Sequence, residues 1–208
     1  KLEVGALTES VTVTTEAALL KTDKADVSVD LRPEDVVNLP LNQYRNYQAL
    51  MNLVPGATPP ALQNAQTDTP GRALTTNVNG TARNTNTTLT DGAANTNVWL
   101  PHHTAYVQPV ESIETVNIST NSFDAEQGMA GGAAITVSTK SGTNDLHGVG
   151  FWFHNNQHLN TKPYFVHKEL PLTIFNQGGG TIGGPIKKDK LFYFFSFERT
   201  MERTGYAD

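Results

Sequence analysis

The 208-residue chain predicts an α+β fold dominated by β structure: a small mixed domain with short helices, then longer antiparallel strands forming an incomplete β-barrel. Three observations carry this expectation. The hydrophobic fraction is only 38% and the charged fraction 17%, with Thr, Asn and Gly filling the gap, a strand- and turn-rich composition. Apolar residues alternate with period two in many short runs and take helical spacing in few. Beyond residue 140 the runs lengthen and their connections alternate between long and short, the pattern of a transmembrane β-meander.

Each element follows from local chemistry. Ser10 to Thr14 and Val27 to Leu31 alternate as half-buried strands. Pro33-Glu34-Asp35 starts a short helix, with acids at the positive end of its dipole, and Pro40 ends it. Tyr44, Tyr47, Leu50, Met51 and Val54 recur at helical spacing, predicting a helix over 42–53 whose aromatics pack into the core. Pro55-Gly56 closes it, and 57–74 reads as a long loop. Val78-Asn79-Gly80 and Thr87 to Gly92 are extended pieces ending in turn dipeptides and are expected to share one small sheet. Residues 99–108 form a second loop, and Pro109 to Ser112 one helical turn ahead of strands at 114–119 and 134–139.

After the turn at 140–145, Val149, Phe151 and Phe153 alternate with Gly150, Trp152 and His154. Leu191, Tyr193, Phe195 and Phe197 repeat that pattern, with the glycine-rich 175–186 between. The seven apolar positions are expected to form one face turned to lipid or to a partner. The glycines are read as permitting close approach of the mixed domain to the strands.

Composition also excludes function classes. A net charge of −5 without a basic run beyond Lys187, Lys188 and Lys190 argues against nucleic acid as a partner. The absence of cysteine removes thiolate metal sites and disulfides. His102-His103 has no acidic residue nearby to complete a metal shell and reads as solvated loop; His147, His154 and His158 could meet at one strand end. Neither a Gly-x-Ser-x-Gly elbow nor a phosphate-binding Gly-Lys-Ser/Thr occurs, so neither an enzyme nor a cofactor is expected.

An ordered series of blocks carries more than any single motif. Asn77 to Gly80, Leu89 to Gly92, Ser112 to Asn117, Phe123 to Gly128, Gly131-Gly132 and Val137 to Asn144 resemble, in order and spacing, the plug of Oar-like TonB-dependent receptors. Leu146 to Gly148, Gly179 to Ile186 and Lys188 to Phe194 resemble the first three barrel strands of the same family. The resemblance implies three segments. Residues 1–9 would end a carboxypeptidase-regulatory-like domain or linker of a longer chain, 10–140 would be the plug, and 141–208 the first barrel strands.

It further implies a bacterial outer-membrane transporter with a periplasmic N-terminus. Its partners would be a TonB-like energising protein, the remainder of the barrel and outer-membrane lipid. Glu9, Ser10, Val11, Thr12, Val13 and Thr14 resemble the TonB box, which pairs with that protein by strand addition; the same residues would serve equally as an ordinary strand. Trp99, His102, His103 and Tyr106 are the expected substrate-facing loop. Where many plugs have an Arg-Gly-Pro turn, this chain has Ser119-Thr120-Asn121, so a substrate is not carried over. The alternative reading is a processed fragment that self-assembles with copies of itself outside the cell, by strand addition along 146–153 and 191–197.

Overall fold

The computed structural model describes residues 26–39, 41, 45–59, 73–128, 130–161 and 172–205. The TonB-box-like segment 9–14, the strand expected at 10–14 and most of the 57–74 loop lie outside the described residues. Among the described residues two sheets are formed. The first is mixed and five-stranded, in the order β1-β4-β5-β2-β3, from β1 (Val27–Leu31), β2 (Thr87–Thr90), β3 (Ala93–Ala94), β4 (Ile113–Asn121) and β5 (Ala134–Thr139). The second is antiparallel and three-stranded, from β6 (His147–Asn156), β7 (Thr173–Lys187) and β8 (Leu191–Thr204), and is not a closed barrel.

β4 and β5 build the first core. Ile113, Val116 and Ile118 of β4 are buried with Ile135 and Val137 of β5. Ile113 and Val116 are three apart, which strict alternation would put on opposite faces; a register shift between Ile113 and Thr115 restores both to the core. α1 (Pro33–Asn38) adds Val36 to the same cluster, and its first turn is closed by the Arg32 N–H donating to Asp35 Oδ2 at 3.2 Å.

Of the helix expected over 42–53, the described part forms a 3₁₀ segment, Tyr47–Leu53, and Tyr44 lies outside the described residues. Arg45 has a positive φ of 48° and Asn46 is extended, so the chain ahead of Tyr47 cannot continue an α-helix. Asn46 Oδ1 then caps the segment by accepting from the Gln48 N–H at 2.8 Å. The expected core role of Tyr47, Leu50, Met51 and Val54 holds, all four being buried.

Val78 does not share a sheet with β2. It bridges Ala57, while β2 pairs in parallel with β5 and antiparallel with β3. The β2–β3 hairpin turns on Asp91-Gly92, both at positive φ, as a two-residue turn of the primed kind requires. Asp91 also locks the hairpin to β5, its carboxylate accepting from the Thr139 N–H at 2.8 Å and hydroxyl at 2.7 Å.

Burial pushes the Tyr47 phenol well above its ordinary pKa, because the phenolate would have to sit in the core. Above pH ~10 the unfolded chain loses this proton while the folded chain keeps it, so stability falls as pH rises through that range and is unaffected below it. The hydroxyl makes no hydrogen bond among the described residues. Tyr47→Phe is therefore expected to be tolerated at neutral pH and to flatten the alkaline loss, read as denaturation midpoints at pH ~9 and ~11 in both proteins.

Candidate functional site

In the second sheet, register decides which side chains share a face. Phe151 stands opposite Gly179, which stands opposite Glu198; Phe153 stands opposite Gln177. Trp152, Ile182, Phe195 and Phe197 fall on the other face, since Trp152 pairs Gly178 and Ile182 pairs Phe195. This corrects the expectation that Val149, Phe151 and Phe153 share one apolar face with Leu191, Tyr193, Phe195 and Phe197. Val149 pairs Thr181, opposite Ser196, so the β6 set lies on the face opposite to Tyr193, Phe195 and Phe197. A strand's alternation reveals two faces, but the phase between strands depends on pairing across the intervening loop.

The face bearing Phe151 and Phe153 is turned to the first domain. Phe175 and Gln177 of β7 are buried there. A groove of about 390 Å³ is lined by Val37, Leu39, Leu41, Arg45, Phe153 and Phe175, among others. The opposite face is exposed, with Trp152 at 63%, Phe195 at 61% and Phe197 at 57%, whereas the first face is covered around Phe175 and Gln177 and leaves Val149 and Phe153 exposed at 57% and 42%. The glycine run accommodates the neighbouring strand's own rings. A Cβ on Gly178 would lie 2.3 Å from the Trp152 ring, and one on Gly179 3.0 Å from the Phe151 ring.

Arg45 and Glu111, neither singled out by sequence reasoning, join the two sheets. Arg45 Nη1 donates to Glu111 Oε1, and their side chains are only 12% and 6% exposed. The guanidinium carbon lies 4.2 Å from the Phe153 ring centre and 5.3 Å from that of Phe151, both within cation–π range. The two rings are tilted by 42° with centres 5.9 Å apart. The only hint in the sequence was a lone Arg ahead of an apolar segment, with its partner 66 residues away.

The 95–108 loop is held at its base and open at its tip. Asn95 donates to the Tyr106 carbonyl at 2.8 Å and accepts from the Tyr106 N–H at 2.9 Å, while Thr96 bridges Thr104. Asn97 Oδ1 accepts from the N–H groups of Trp99 and Leu100, forming the turn that leaves Val98 88% and Trp99 91% exposed. Tyr106 is also exposed. His103, expected in solvent, is buried at 5%, with its ring centre 4.4 Å from that of His102. It borders a cavity of about 20 Å³, which has room for roughly one water.

Among the described residues no group of three His, Cys, Asp or Glu could hold a metal. His147, His154 and His158 do not converge. His147 hydrogen-bonds the Asp145 carbonyl, His154 Asn176, and His158 its neighbour Gln157. No helix among the described residues is long and apolar enough to cross a membrane.

A mixed domain seated against one face of an antiparallel sheet, whose other face is apolar and exposed, is the arrangement of a plug-like region beside part of a barrel wall. Comparison with known proteins agrees. The family model "Outer membrane beta barrel domain" matches residues 138–208. The TonB-dependent transporter Oar of Myxococcus xanthus is 28% identical over 168 residues, covering 76% of this chain and 14% of Oar. In fold, the chain is similar to the siderophore receptor PirA from Acinetobacter baumannii, with a TM-score of 0.57 at 22% identity over 83% of this chain. It is also similar to a mutant of the ferric enterobactin receptor PfeA from Pseudomonas aeruginosa, with a TM-score of 0.54 at 14% identity over 85% of this chain. The chain spans 24% of each of those two receptor chains. The chain is thus similar to Oar-like TonB-dependent transporters, as a plug-like region followed by outer-membrane barrel strands.

Proposed function

We propose that this chain gates energised uptake. Residues 10–140 act as a plug that occludes an outer-membrane barrel, and 141–208 supply the first strands of its wall. The observation that carries this reading is the two-sided character of the second sheet. Phe175 and Gln177 are buried against the mixed domain, while Trp152, Ile182, Phe195 and Phe197 on the other face are exposed. In water such a face has to be covered; in a barrel wall it meets acyl chains. The remaining strands would pair with the free edges of β6 and β8 and close the wall.

A TonB-like protein would engage residues 9–14 from the periplasm and displace the plug. On the opposite side the held loop would offer Trp99 and Tyr106, with Val98, to an incoming substrate, whereas buried His103 supports the loop from beneath. The test is electrical. The full-length protein in a planar bilayer should be closed, and removal of residues 26–139 should open a conducting pore. Equal conductance before and after removal would overturn the gating role.

A further inference from the structure

We propose that Arg45 is a releasable clamp between the domain and the wall, gripping the rings of Phe151 and Phe153 while its charge stays balanced within the domain by Glu111. The inference rests on the plug reading. Three independent observations meet at this residue. Arg45 holds a left-handed backbone, φ 48°, uncommon for a long side chain and costly unless its contacts offset it. Its ion pair with Glu111 is almost wholly withdrawn from water. Its guanidinium then covers two rings of β6 at 4.2 and 5.3 Å.

The division of labour matters for release. An Arg gripping a wall carboxylate would leave a buried charge on each side when the domain moved, at a steep desolvation cost. Here the counter-charge travels with the domain, because Glu111 lies in the Val110–Ser112 turn that leads directly into β4. The wall is left with phenyl rings, which need no counter-ion. Cation–π attraction is also less directional than a bidentate hydrogen bond, so the contact can loosen gradually. Gly179 supports the arrangement from the wall side, since a side chain there would crowd the Phe151 ring.

The experiment uses the full-length protein in planar bilayers, with urea added stepwise until conducting openings appear. The double variant Phe151→Leu, Phe153→Leu keeps the wall apolar and leaves the Arg45–Glu111 pair untouched. Opening is expected at lower urea, with open probability at fixed urea raised about tenfold, the scale of two cation–π contacts. Arg45→Lys, which keeps the charge but loses the planar face, should fall between this variant and the wild type. Hydrogen exchange at Val110 and Val116 in the double variant should match wild type, because the clamp is external to the domain core.

Opening at the wild-type urea concentration would overturn the clamp. So would loss of protection at Val110 and Val116, which would make the rings part of the domain's own packing. If removing residues 26–139 opens the pore while the double variant behaves as wild type, the clamp alone fails. If that removal leaves conductance unchanged, the gating reading fails and the clamp with it.

Discussion

Deleting Glu9 to Thr14 from the full-length protein is expected to reduce energised uptake to background while leaving membrane insertion intact. Strand addition needs a row of backbone donors and acceptors, which on the proposed reading the alternating Val11-Thr12-Val13-Thr14 would supply with little demand on side-chain identity. Removing the segment removes every pairing group at once. By the same logic Val13→Pro should lose most of the uptake, since proline deletes a ladder donor, whereas Thr12→Ser should lose little. Insertion depends on the barrel strands and should be unchanged, as read by surface labelling. Uptake of a radiolabelled substrate at the wild-type rate after the deletion would remove this segment from the mechanism.

The second large effect is expected at Glu111. Glu111→Ala strands the Arg45 guanidinium in a nearly dry site, and breaking a buried pair from one side typically costs about 3–5 kcal/mol. Hydrogen exchange of the Val110, Val116 and Ile118 amides should accelerate correspondingly. Glu111→Leu combined with Arg45→Met should recover most of that loss, because two apolar side chains carry no desolvation penalty. The combined variant would still lack the cation over Phe151 and Phe153, so it should remain stable yet open readily in urea. A single Glu111→Ala with wild-type exchange rates would show that water reaches the pair freely.

These two sites differ in how they could be found. The 9–14 segment is a contiguous pattern, legible as alternation along the chain itself. Arg45 and Glu111 lie 66 residues apart, and nothing in composition or spacing connects them. The helical spacing of Tyr47, Leu50, Met51 and Val54 marks core residues correctly, yet it suggests a longer and wider helix than the 3₁₀ segment that forms. Arg45, inside the expected span, carries the positive φ that interrupts it. His103 follows the same rule in reverse. As one of a polar pair in a loop it reads as solvated, but the Thr96–Thr104 bridge folds the loop over it.

Among the described residues, the amino-acid sequence by itself determined the succession of elements and most of their kinds, the 3₁₀ segment Tyr47–Leu53 and the Val78 bridge excepted. Alternation, proline and glycine placement and the Asp91-Gly92 turn are local, and local geometry answers to local chemistry. It also determined the family resemblance, through an ordered series of blocks. Only the tertiary structure decided which face of β6 meets the first domain and which residues join the two sheets. Phase between strands is set by pairing across long connections, and a buried ion pair exists only where two distant segments exclude water together.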